Sequence, residues 1–457
     1  MRQPGFAERA AAASLALRQL PPFRLEGRVV SLSGIGVEVA GLAGHLSIGD
    51  RLSLQARDGR NIAAEIVGFR AGLAQALTFS PMEGLGPGAA ALAEIRGLTI
   101  GGGARLSPSQ DWLGRVIDPL GRPLDGRGPL RPGDQPRKVR GEPPPAASRA
   151  RLGHRIDFGV RALNCFTPSR LGQRLGLFAG SGIGKSTLLG MLARGAACDV
   201  AVLALVGERG REVREFVEDE LGDGLSRSIV VVATSDQPPL MRREAAYAAL
   251  TTAEYFRDRG QSVLLLMDSV TRFCLALREI GLTAGEPPAT RGFPPSVFAE
   301  LPRLLERAGP GEQRDQGNPG YITGLFTVLV EGDDHNEPIA DAVRGILDGH
   351  VVLDRRIAEG GRYPAIDVLR SLSRTAAGCC TPDETALAAR ARAILALHGD
   401  MADLVRLGAY RPGADATVDE AVALAPRIDG VLRQDRDELA PVPDSFARLQ
   451  TALEDAT

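Results

Sequence analysis

No apolar run in this sequence approaches the ~18 to 20 residues that a membrane-crossing helix needs. The best strings, such as DVAVLALVG, are of strand length. Any association with a membrane is therefore expected to be peripheral. Cysteine is scarce as well. Cys165, Cys198, Cys274, Cys379 and Cys380 are odd in number and fit no CxxC or Cys/His metal spacing, so they read as reduced thiols of a cytoplasmic chain. An excess of one charge is missing too: Lys and Arg total 54 against 56 Asp and Glu, a formal net charge of -2, which gives no polybasic signal for nucleic acid as the main partner. Aromatics are few in the N-terminal region, so platforms on which bases could stack are scarce there. The sharpest shortage is lysine, present only at Lys138 and Lys185 in a chain that uses arginine almost everywhere.

What is present divides into parts. At 457 residues the chain is too long for one ordinary core and should hold two to four domains. Residues 1–23 have a faint signal-peptide look, but Glu8, Arg9 and Arg18 bracket an alanine-rich segment too weak for an h-region. A helix is expected instead, with Phe6, Ala10, Ala13, Leu17 and Leu20 on one stripe and Pro21-Pro22 stopping it. Such a helix packs on its own domain or docks a partner. From 24 to 100, the short alternating runs RLEGRVVSL, GIGVEVAGL, RLSLQA, NIAAEIVGF and QALTF, separated by Gly, Asp and Asn, predict a small β-barrel. Residues 101–150, with DPLGRPLDGRGPLRPGDQP and GEPPPA, cannot sustain a helix or central strand and read as linker, surface loop and the start of a core. From 151 to 374, strand-length apolar runs alternate with helical patterns, the signature of a largely parallel α/β sheet. Residues 375–457 are helical in period, in DETALAARARAILALHGDMADLVRLGAY and DEAVALAPRIDGVLRQ.

One stretch carries chemistry directly. In RLGLFA-GSGIG-KSTLLGMLAR a short strand runs into a turn that glycine permits and then into a helix, the setting a phosphate-binding loop requires. Backbone N–H groups there converge on phosphate oxygens, helped by the positive end of the helix dipole. Lys185 is placed to reach the β and γ phosphates and Ser186 to coordinate Mg²⁺. The pattern GxxxxGK[ST] asks for glycine at position 179, where this chain has Ala179. Where arginine would serve as a generic charge, a lysine points to a need for its compact point charge. Downstream, SVLLLMDS ends a strand in Asp268, where a carboxylate supporting the Mg²⁺ belongs, and VAVLALVGE ends one in Glu208, where a carboxylate can orient and deprotonate the attacking water. Read alone, Asp268 is a helix cap and ERGRE a solvated salt-bridged face.

Taken together with GERGREV, ATSDQPPLMR, AEYFRDRG, MDSVTRF, REIGLTAGEPPATRGFPPSVFAELPRLLERAG, EGDDHNEPIADAVRGILDGH, YPAIDVLRSLSR, LGRVIDPLGRPLDGRGPL and LVRLGAY, these residues make the chain resemble the type III secretion ATPase family over nearly its whole length, most closely the flagellar export members. That family is similar to the catalytic β subunit of the rotary ATP synthase. The resemblance implies a multi-domain chain: an N-terminal β-barrel, a central α/β P-loop (RecA-like) ATPase domain and a C-terminal α-helical domain. It also implies a homohexameric ring with ATP sites between subunits. Gly180, Ser181, Gly182, Ile183, Gly184, Lys185, Ser186 and Thr187 would hold the phosphates, with Ser186 and Asp268 serving Mg²⁺. Glu208 would be the catalytic carboxylate with Arg209 beside it, Tyr363 would stack on the adenine, and Arg374 would be the arginine finger supplied by a neighbouring subunit. Without the resemblance, Tyr363 reads as a core-edge tyrosine and Arg374 as a surface charge.

The implied partners are a stator-like regulator at the N-terminal helix, a coiled-coil stalk-like protein, export substrates with their chaperones, and a membrane export gate. The implied place of action is the cytoplasm, peripheral to the inner membrane. Three other functions fit less well. Glu208 beside an intact lysine loop disfavours a non-catalytic synthase subunit, and GEPPATRGFPPSV favours secretion over ATP synthesis. An RNA translocase ring would need an RNA-reading N-terminal module. A virulence injectisome ATPase differs from the flagellar reading only by degree.

Overall fold

The computed structural model describes residues 24–96, 99–100, 104–315, 317–330 and 337–454. The helix expected over residues 1–23 lies outside them. Six strands form the first unit: β1 (Arg24–Ser33), β2 (Gly36–Ala40), β3 (Arg51–Gln55), β4 (Asn61–Arg70), β5 (Leu73–Thr78) and β6 (Ala90–Arg96). They pair antiparallel in the order β1-β2-β5-β4-β3-β6, and β6 pairs back onto β1, so the sheet closes into a barrel without free edges. Alternation along these strands gives the barrel its apolar interior. Val37, Val39, Leu52, Leu54, Ile62 and Ile66 all point into the barrel and are buried there.

The central unit contains β7 (Arg115–Ile117), α1 (Arg161–Phe166), β8 (Arg174–Ala179), α2 (Lys185–Gly195), β9 (Val200–Glu208), β10 (Ser228–Thr234), α3 (Pro239–Arg257), β11 (Ser262–Asp268), α4 (Val270–Thr283), α5 (Pro295–Leu305), β12 (Tyr321–Leu329), α6 (Pro338–Ile346), β13 (Gly349–Leu353) and β14 (Ile366–Ser373). The sheet order is β14-β13-β8-β12-β11-β9-β10-β7, parallel along this path except for the antiparallel edge pair β13-β14. Strand β9 shows why the apolar runs are unbroken. Its Val202, Ala204 and Val206 pack on the face covered by α3, while Ala201, Leu203 and Leu205 pack on the face covered by α2. A sheet covered on both faces needs hydrophobic residues at both parities. The segment read as linker supplies the edge strand β7. Beyond it, Asp125 accepts from Arg115 Nε and Nη2 at 2.7 and 2.9 Å and from the Val116 and Arg127 amides.

Helices α7 (Pro382–Arg406), α8 (Ala416–Leu432) and α9 (Val442–Glu454) complete the chain. A capping box between Thr381 and Glu384 starts α7. Ile394, Leu424, Ile428 and Leu449 join the same apolar cluster as α2 and the α2 face of the sheet. The barrel is joined to the core differently, through buried charge. Arg243 of α3 donates to Glu65 of β4 and to Glu244, both at 2.7 Å, and Arg51 of β3 donates to Glu244 at 3.1 Å. All five cysteines are free thiols.

Candidate functional site

Three parallel strands end side by side around one lysine. Strand β8 ends at Ala179 and passes through residues 180–184 into α2, whose first residue is Lys185. Gly182 and Gly184 adopt φ of 76° and 85°, the left-handed backbone this turn requires. Ala179 is still strand: it pairs with Leu329 of β12 and is buried, so its methyl conflicts with nothing in the turn. Gly180 is buried below the loop, and Ser181 and Gly182 are exposed at its crest. Ile183 is buried in the core and anchors the loop from inside. Ser186 lies exposed in the first turn of α2. Thr187 donates to Glu220 at 2.8 Å. A Cβ at Gly190 would stand 2.7 Å from the Glu220 carbonyl, so only glycine lets α2 approach that segment.

Lys185 Nζ lies 2.5 Å from both carboxylate oxygens of Asp268, at the end of β11, and 3.5 Å from Glu208, at the end of β9. Thr327 of β12 donates to Asp268 at 2.7 Å and holds it in place. Carboxyl ends of parallel strands are where such sheets place their ligands. Burial works against the Lys185 charge, but Asp268 and then Glu208 outweigh it and leave the ammonium more firmly protonated than usual. Glu208 is shifted upward, first by burial and then by the Asp268 charge, with Lys185 pulling the other way. A carboxylate whose proton affinity is raised by burial suits the acceptance of a proton from water.

The ring of Tyr363 lies against the loop. A Cβ at Gly184 would sit 3.2 Å from it, and the tyrosine is 45% exposed. Its carbonyl accepts from the Gln434 amide at 2.9 Å, which ties this wall of the site to the C-terminal helices. Two residues from the sequence reading stand apart. Arg209 is exposed and pairs with Glu212 at 3.3 Å, on the solvent side of Glu208. Arg374 follows β14, where Ser373 pairs with Gly349 at the amino end of β13. Because β13 runs parallel to β8, Arg374 lies at the opposite end of the sheet from its own phosphate loop.

Arg272 was not singled out in the sequence. It occupies the first turn of α4, where its amide donates to Ser269 at 3.2 Å, and its stem covers Gly207. Its charge helps hold Glu208 ionised. The available signal was MDSVTRF, an arginine one helical turn beyond a strand-ending carboxylate.

The chain matches the model of the ATP synthase alpha/beta family, nucleotide-binding domain, over residues 159–373, and that of the T3SS EscN ATPase C-terminal domain over 380–451. It is 53% identical to the flagellum-specific ATP synthase of Caulobacter vibrioides, covering 96% of this chain and 98% of the relative. It is 47% identical to a type 3 secretion system ATPase of Xanthomonas euvesicatoria, covering 95% of each. Among solved structures it is similar to the assembled ATPase EscN from the enteropathogenic E. coli type III secretion system, with a TM-score of 0.84, 37% identity, and 93% of this chain and all of that one covered. EscN in complex with its central stalk EscO matches with a TM-score of 0.82 at 36% identity, over 93% of this chain and all of that one.

Proposed function

The chain belongs to the type III secretion ATPase family, whose catalytic unit is the nucleotide-binding domain of the ATP synthase alpha/beta family, and on that footing we propose that it is an Mg²⁺-dependent ATP hydrolase energising flagellar protein export. The observation that carries the reading is the convergence of Lys185, Asp268 and Glu208 beneath a glycine loop at a helix N-terminus. The Asp268 pair keeps Lys185 charged in a buried setting until phosphate oxygens replace the carboxylate. Glu208 then orients a water and accepts its proton as the oxygen attacks the γ-phosphorus and ADP leaves.

Residues that could hold Mg²⁺ are present. Ser186 and Asp268 offer the hard oxygen donors this ion prefers. Among the described residues no cluster of three His, Cys, Asp or Glu side chains is poised for a metal, so phosphate oxygens and water would complete the shell. When bound, the ion neutralises charge on the β and γ phosphates. Tyr363 offers a ring face to adenine. Arg374, remote from its own loop, would act on the site of an adjacent subunit, and Arg209 would serve beside Glu208.

The assembled state named for EscN supports an oligomer here, and its complex with a central stalk supports a stalk partner; we extend these to a homohexameric ring and a coiled coil at the C-terminal helices. A stator-like regulator, export substrates with their chaperones, and a membrane export gate complete the proposed assembly, in the cytoplasm at the inner membrane. An injectisome role is the second reading, favoured by the Xanthomonas relative. The match over 380–451 weighs against an ATP synthase subunit.

The test is a pair of variants. Lys185→Ala should lose nucleotide binding, whereas Glu208→Ala should bind ATP and lose turnover by two or more orders of magnitude. Turnover by Glu208→Ala near the parent's would sink the catalytic assignment.

A further inference from the structure

Beyond the residues already assigned, one arginine grips the phosphate loop from outside. Strand β13 lies next to β8, so its end arrives beside the loop that β8 feeds. There Asp354 caps a short helical turn, Arg355–Glu359, accepting from the Arg356 amide at 2.8 Å. The first residue of that turn, Arg355, donates from Nη2 to the carbonyl oxygen of Ser181 at 3.2 Å.

That contact has a consequence fixed by covalent geometry. A trans peptide is planar, and its C=O and N–H point in opposite directions. Holding the Ser181 carbonyl outward therefore aims the Gly182 N–H the other way, into the hollow of the loop. Gly182 itself has φ of 76° and open space around its Cβ position, so the peptide plane meets little steric resistance to turning over. Turned over, it would present a carbonyl oxygen to the anion instead of an amide. Ile183 anchors the following residue in the core, leaving the Ser181–Gly182 peptide as the link whose direction needs a partner.

We propose that Arg355 is a positioning residue of the nucleotide site, pinning the Ser181 carbonyl so that the Gly182 amide is preset for a phosphate oxygen. The proposal rests on the ATP-site reading above. It assigns Arg355 an effect on the affinity for phosphate-bearing nucleotide rather than on the chemical step, because the contact it makes with the loop is to the Ser181 backbone carbonyl.

The experiment uses the full chain in four forms: the parent, Lys185→Ala, Arg355→Met and Arg355→Lys. Methionine keeps much of the stem and removes the donor, while lysine keeps a donor. Binding of a fluorescent ADP analogue, KM and kcat for ATP, and thermal unfolding are measured on each. Arg355→Met should raise the ADP Kd and the ATP KM about three- to tenfold, the loss of one hydrogen bond from a charged donor at an exposed site, with kcat changed less than Kd and unfolding unshifted. Arg355→Lys should recover part of the loss. Equal ADP affinity in the parent and Arg355→Met, equal weakening in the Met and Lys variants, or a loss confined to kcat would overturn the proposal while leaving the site intact. If the parent binds ADP no better than Lys185→Ala, the nucleotide site itself is wrong and the role of Arg355 falls with it.

Discussion

At the scale of single residues, the chain spends one of its two lysines where a compact charge must fit between two carboxylates. The Asp268 contact at Lys185 is short at 2.5 Å and the Glu208 contact longer at 3.5 Å, and a planar guanidinium has a different length and donor geometry. Lys185→Arg should therefore keep the charge and still lose at least about tenfold in ATP affinity, as measured by titration. Arg272 makes the complementary case. Its replacement by alanine should lower kcat roughly tenfold or more while nucleotide affinity stays closer to the parent's, because its charge acts on Glu208. Single-turnover rates distinguish the two outcomes. Lys185, Asp268 and Glu208 were legible in sequence because each ends a strand or opens a helix at a recognisable motif. Arg272 and Arg355 were not, since an arginine among so many becomes meaningful only when the fold sets it beside a particular atom.

At the scale of elements, burial separates strands that announce themselves from those that do not. The first five barrel strands alternate visibly, but β6 reads AALAEIR, and alanine has little preference for strand. Its register is set by closure between β1 and β3. Helix α9 was likewise not singled out, and its Phe446, Leu449 and Leu453 take their meaning from the core they join. The joint between barrel and core is more exacting. Arg243 is sealed between Glu65 and Glu244, so Arg243→Ala should take from both carboxylates their most buried partner, leaving only the more exposed Arg140 and Arg51, and cost about 3 kcal/mol, read from urea unfolding.

Asp125 provides a pH signature. The Arg115 hydrogen bonds, ahead of burial acting in the other sense and the Arg127 and Val116 amides, hold its carboxyl well below the usual range. A folded pKa depressed below the unfolded one of about 3.9 stabilises above that value, and the gain is lost as pH falls toward the folded pKa. Urea midpoints measured at pH 5 and pH 3 should thus fall less steeply in Asp125→Asn than in the parent.

At the scale of the whole molecule, the role proposed for Arg374 requires more than one copy. A cation at the amino end of β13 and a phosphate loop at the carboxyl end of β8 cannot meet within one chain. Activity per subunit should then rise with protein concentration in step with ring formation, by mass action. Mixing Arg374→Ala with Glu208→Ala subunits should restore some turnover, because a fraction of interfaces would pair an intact Glu208 with an intact Arg374. No recovery in mixed rings would assign Arg374 to a structural role.

The near absence of lysine has a practical side. Apart from the amino terminus, the chain offers amine chemistry two side chains, one exposed at Lys138 and one enclosed by carboxylates at Lys185. Acylating reagents should mark the first freely and the second only as fast as its ion pairs open, so two peptides in a mass spectrum report the occupancy of the catalytic centre, with the exposed amine as an internal clock.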